Sequence, residues 1–457
     1  MDILSGSSFP VPAMVSRSMH EIELTLAKIH KMKITYDSHK LMSFFVENNC
    51  LIPMKQTKTT DNFFSYFFTE IINAAAFIEE QKRISKQNKQ AFYKLRVTSI
   101  DHIRQIPKPK TFSVHGFPDK ARKTIDEYAL TSLHYSCHLY DRAFDIYFVL
   151  EQSTDEIKIE KYNTYVDYIL YWFYIVNKHA SKSCTDKLSV FIYHTFLTKA
   201  LPSTNIEVLD EDNVNTGFTR TCQPSGEIVI YRLEEWFKVL LHESMHNYGL
   251  DFSDMDNAAC HSKILSLFPI KSDVNLFEAY TEFWARIMNI LFCSYANASN
   301  KTDINEMLTN SEFFVNFERI FAFYQMTKVL KFMDIEYRHL IEKTAYSDSL
   351  RKTFYKENTN VLSYYILTTI LLNNYQDFLI WCKANNTTML QFKKTSDAQN
   401  RFCDFIASRY KRTEFLYNID CSEKLFNKMS KNTKKKGQTT YSAFLLSNLR
   451  MTLCELC

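Results

Sequence analysis

The chain is poor in the residues that break regular structure: 6 Gly and 9 Pro occur in 457 residues. That scarcity excludes Gly-rich phosphate loops and turn-dense all-β folds and favours helices. Charge of one sign is also missing. Lys and Arg number 55 against 51 Asp and Glu, a net charge of +4, far from the field of a nucleic-acid binder. No run is apolar enough to span a bilayer, since the best stretch, Tyr165 to Val176, is short and carries Asp167. The first thirty residues show no cationic start followed by an apolar segment, so no signal peptide is expected. Paired cysteines are scarce too. Nine of the 11 stand singly, and Cys454 and Cys457 form one close pair with no second pair to complete a zinc site. No disulfides are expected, and an intracellular, non-secreted setting follows.

What is present is 46 % hydrophobic and 23 % charged, the balance of a folded soluble protein. The length implies two or three domains. Residues 1–182 read as a helical N-terminal domain, with helical patterning over 18–49, 62–96 and 121–179 and breaks at Ile106–Lys110 and His115–Pro118. Residues 183–255 change texture. Leu188–Leu197, Asn205–Leu209, Gly217–Cys222 and Glu227–Tyr231 read as strands, the last two joined as a hairpin through Gln223-Pro-Ser-Gly226. A helix from Leu233 to Tyr248 follows, stopped by Gly249. Residues 256–457 are helical again over 274–296, 311–330 and 360–385, with 428–437 read as a basic solvated loop. The expected class is α+β, predominantly α-helical.

Chemistry concentrates at His242-Glu243-Ser244-Met245-His246, which fits H-E-x-x-H. Positions i and i+4 share a helix face, so both imidazoles can reach one metal ion, with Glu243 beside its water. A zinc hydrolase needs a third protein ligand. The continuation H-x-x-G-x-x-H would supply one three residues after Gly249, but Phe252 stands there; Asp251, Asp254 and His261 are near at the wrong offsets. Glu278 and Glu282 lie on a later helix whose stripe is Phe277, Tyr280, Trp284, Ile287 and Leu291. This order of parts resembles the gluzincin-type zincin metallopeptidases over roughly residues 189–289. The run from Ile228 to Glu243 also looks like metallopeptidases of large nucleocytoplasmic DNA viruses, and the Asn-, Lys- and Phe-rich, Gly-poor composition suits an AT-rich viral genome.

The resemblance implies a zincin-like core with a small antiparallel or mixed sheet. It implies Zn²⁺ held by His242, His246 and Glu278, with Glu282 behind them fixing an imidazole and Glu243 as general base. It implies a peptide or protein substrate laid along the cleft-edge strand at Gly217, Phe218 and Thr219, and a downstream Tyr364 or Tyr365 at the oxyanion. Neither nucleic acid nor membrane is an expected partner. His134 and His138 share the i, i+4 spacing but have no intervening Glu, and read as a structural pair; His339 is a remote candidate. The competing expectation is a non-catalytic helical structural or interaction protein of a virion, in which the motif is accidental or degenerate.

Overall fold

In the computed structural model of the protein, residues 18–456 are described apart from 52, 111–116 and 437–438. His115, Gly116 and Cys457 of the expectations above lie outside the described residues. Helices predominate around one six-stranded mixed sheet. Its strands are β1 (Lys94–Ser99), β2 (Thr131–Leu139), β3 (Arg142–Leu150), β4 (Lys187–His194), β5 (Gly217–Thr219) and β6 (Ser225–Ile230). Their order is β1-β2-β3-β4-β6-β5. β1, β2 and β3 form an antiparallel meander, β3, β4 and β6 run parallel, and β5 returns antiparallel on β6 as an edge.

Period-two alternation divides the sheet between two cores. Leu188, Val190 and Ile192 of β4 and Ile228 and Ile230 of β6 enter the main core. Their neighbours Phe191, Tyr193, Val229 and Tyr231 enter a smaller one, to which the helix Asp119–Tyr128 contributes Ala121 and Ile125. The main core draws on residues from Ile29 to Leu456 and so joins all three expected segments. No helix among the described residues is long and apolar enough to cross a membrane.

Several expectations are corrected. Residues 131–150, read as helix, form β2 and β3, because Leu133, Tyr135, Cys137 and Leu139, then Phe144, Ile146, Phe148 and Leu150, recur every second residue and face the core. The sheet therefore runs across residue 182. His134 and His138 lie on a strand rather than a helix, and His134 bonds Asp145 at 2.9 Å. Asn205–Leu209 is no strand; only Leu209 pairs, in a single bridge with Glu357. The stretch 18–49 divides into Met19–His30 and Tyr36–Glu47, and 428–436 continues the helix Thr413–Lys436, having no breaker before Gly437. Cys184 and Cys222 form a disulfide, contrary to the reading of isolated cysteines. Spacing concealed it: the start of β4 and the turn after β5 meet only once the sheet forms, and both cysteines pack at Gly249.

Candidate metal centre

The helix Trp236–Asn247 carries both histidines and is buried along its whole length. Each end is set by a residue of positive φ. Glu235 (φ 61°) caps the start, and its carboxylate accepts from the backbone N–H of Met451 at 2.6 Å and from that of Thr452. Gly249 (φ 64°) ends it. The Gly249 N–H bonds His246 O and the Leu250 N–H bonds Met245 O, both at 2.9 Å, a Schellman turn. That turn folds Asp251 back beneath His246. The helix Leu276–Asn297 packs alongside and presents Glu278 and Glu282 one turn apart.

Three atoms converge. His242 Nε2 lies 3.1 Å from Glu278 Oε2 and 3.1 Å from His246 Nε2, and His246 Nε2 lies 3.4 Å from Glu278 Oε2. Tetrahedral zinc with bonds of 2.0–2.1 Å sets its ligand atoms about 3.3 Å apart. The triangle has that size. Both Nδ1 atoms are already committed. His242 Nδ1 donates to Glu282 Oε2 at 3.1 Å, and His246 Nδ1 donates to Asp251 Oδ2. Carboxylates so placed hold the tautomer with the lone pair on Nε2. In that tautomer two lone pairs and a carboxylate oxygen face one point, the donor set of a cation site; in the protonated form the imidazoles donate to Glu278 instead. Among the described residues this is the one group of three or more His, Cys, Asp or Glu side chains with metal-binding spacing.

With no cation at that point, the surrounding carboxylates favour protons on both imidazoles. Burial opposes charge on His242, yet Glu278 and Glu282 outweigh it and raise its pKa. Burial likewise opposes charge on His246, and Asp251 with Glu278 carry it well above the ordinary value. Glu278 and Glu282 are held low despite burial, the first chiefly by His246 and the second chiefly by Lys238. Glu243 is not in the triangle. Burial raises its pKa against the pull of the two histidines, as suits a proton acceptor.

No family model, no curated protein and no solved structure matches the chain. The site must be read from its own geometry.

Glu282 stands behind the triangle, gripped by Lys238 Nζ at 3.0 and 3.1 Å and by Arg286 Nε at 2.8 Å. Tyr364 lies on the π-helical turn Leu362–Leu367, a local irregularity frequent at functional sites. Its hydroxyl donates to Glu278 Oε2 at 3.0 Å. Tyr365 does not join it: its hydroxyl bonds Leu449 O at 2.6 Å, because successive residues of a helix face different ways. At β5, a Cβ on Gly217 would come within 2.7 Å of Val229 O and 2.8 Å of Val239 Cγ1, and 3.3 Å from Glu243 Cγ, so only glycine lets this strand lie against the helix. Phe218 packs on Phe117, and Thr219 Oγ1 bonds Glu227 O and Asn247 Nδ2, which leaves backbone as what the edge offers a ligand.

The weaker sequence candidates fall elsewhere. Asp254 pairs with Lys394, His261 with Ser272 O, and His339 Nδ1 accepts from the Glu336 N–H. Sequence reasoning missed the roles of Asp251 and Lys238. Gly249 was the available signal for Asp251, since a left-handed stop brings residues just beyond it back onto the helix end.

Proposed function

We propose that the protein is a zinc-dependent metallopeptidase of gluzincin type. The observation that carries this reading is the triangle of His242 Nε2, His246 Nε2 and Glu278 Oε2, with both Nδ1 atoms bound to carboxylates. His242, His246 and Glu278 would hold Zn²⁺, which when bound supplies an acidified water and a Lewis acid for a carbonyl oxygen. The chain's own residues supply the rest. Glu243 takes a proton from the attacking water and returns it to the leaving amine, a role its buried setting favours by lifting proton affinity. Glu282 and Asp251 keep the imidazoles in one tautomer and orientation. Among the described residues no strand pairs with the outer edge of β5, which would offer backbone groups to an extended peptide next to Glu243. Tyr364, whose hydroxyl reaches Glu278 Oε2, would turn to the carbonyl oxygen of the bond being cleaved.

The test is metal content, followed by cleavage of an unfolded protein substrate. One zinc per chain is expected, lost in His242→Ala with the fold retained. A native chain that takes up no zinc would refute the reading. Stoichiometric zinc without any cleavage would favour the non-catalytic virion protein instead.

A further inference from the structure

A cavity of ≈ 30 Å³ opens beside His242 and Glu243, walled by Val214, Gly217, Val239, Tyr364 and Met451. That is room for about one water, or for a side chain of one or two heavy atoms. Lys199 and Lys238 close it from behind, and both are already paired. Lys199 Nζ meets Glu235 at 2.8 Å, and Lys238 Nζ meets Glu282 at 3.0 Å. Each cation is matched by its own carboxylate, so neither calls for an acidic side chain, and ≈ 30 Å³ is too small for a basic one. Its floor is firm. Met451 Sδ lies 3.8 Å from Lys238 Nζ. Its segment is pinned by buried carboxylates, Glu235 accepting from Met451 N–H and Thr452 N–H, and Glu318 accepting from Leu453 N–H and Cys454 N–H. A methionine usually yields to an incoming group; here the backbone that carries it is fixed and the residue is buried, so it has only its own torsions with which to make room.

We propose that this cavity receives one of the two side chains flanking the cleaved bond and limits it to glycine, alanine or serine, with Met451 setting the limit. The inference rests on the peptidase reading. It adds a substrate class, peptides with a small uncharged residue at the cleavage point, and assigns a specificity-determining role to a residue far from the metal motif in sequence. Misfit by even one methylene in such a pocket lowers kcat/KM by about 10–200-fold.

The experiment uses the zinc-loaded full-length chain and a peptide library, with cleavage positions read by mass spectrometry. Small residues are expected at one fixed position beside the bond. Met451→Ala should raise the leucine-to-alanine ratio of kcat/KM there by about 10–200-fold. Val214→Ala, which enlarges the cavity at another lining residue, should move it the same way and decides the matter if Met451→Ala does not fold. Calorimetric binding of uncleaved peptides to zinc-loaded Glu243→Gln gives a readout free of turnover, with the alanine peptide binding tighter than the leucine one. Large residues on both sides of the bond, or an unchanged ratio in zinc-retaining variants, would overturn the pocket and leave the peptidase reading standing. Absence of both cleavage and peptide binding would overturn both.

Discussion

The two ends of the helix Trp236–Asn247 are both buried and both rich in charge, yet they are built to opposite rules. At its start, Glu235 is matched by Lys199 and by the N–H groups of Met451 and Thr452. Burial works against its charge, but Lys199, Lys238 and Arg450 hold its pKa down at about 2. Farther along, His242 and His246 turn lone pairs toward each other and toward Glu278. Buried polar groups normally find partners. Where they do, as around Glu235, they hold the fold; where His242, His246 and Glu278 converge on one point, they form a group that could hold a cation. Lys238 connects the two regimes, since it lies one turn ahead of His242 and grips the carboxylate that orients it.

Four measurements would break or sharpen this contrast. The largest effect belongs to Glu243→Gln, which should keep zinc and thermal stability while hydrolysis falls about 10²–10⁴-fold; loss of the metal instead would make Glu243 a ligand. Glu235→Ala should do the reverse. It strands Lys199 and two backbone donors in the interior and should cost about 3–5 kcal/mol in chemical denaturation, with one zinc still bound per folded chain. A variant of unchanged stability would dissolve the distinction between the two ends.

Glu357 lies between these regimes. It accepts from Leu362 N–H at 2.8 Å and from Ser272 Oγ, tying the turn that carries Tyr364 to the segment before Glu278. Burial pushes its carboxyl up to about 7. A raised acid stabilises the fold in its protonated form. Its contribution is present below about pH 4.5 and lost as pH rises through 7, at most about 3 kcal/mol. Glu357→Gln should level that part of the stability profile, and an unaltered slope would refute it. The smallest effect is Glu282→Gln, which should weaken zinc about 10–100-fold in a chelator competition without removing it. Complete loss would move Glu282 onto the metal.

What the sequence disclosed follows from physical range. H-E-x-x-H and Glu278 with Glu282 follow helix periodicity, and Pro224 marks the hairpin turn, so both were legible, although Ser225 and Gly226 of the expected turn belong to β6. The strands Thr131–Leu139 and Arg142–Leu150 are harder to read although their alternation is regular, because aromatic-rich text with no Gly or Pro between them fits a helix as well as a strand pair. Asp251 and Lys238 were invisible for a different reason. Their roles depend on a left-handed turn and on a neighbouring helix, which spacing alone does not encode. The Cys184–Cys222 bond and the π-helical turn at Tyr364 are likewise products of tertiary packing.

The anchoring of Glu235 also has a consequence for timing during synthesis. Its partner Met451 lies 216 residues further along the chain, and ribosomes add about 5–20 residues per second. Both histidines therefore leave the tunnel well before the N–H groups that fix the start of their helix exist. Glu278 emerges early as well, but Leu453 and Cys454, which tie the Met451 segment to Glu318, follow it far along the chain. A growing chain thus carries every candidate ligand without the floor of the cavity beside them. If the protein cuts peptides, it acquires its selectivity after it acquires its metal-binding residues, and the unfinished polypeptide is the form whose cutting would be least discriminating.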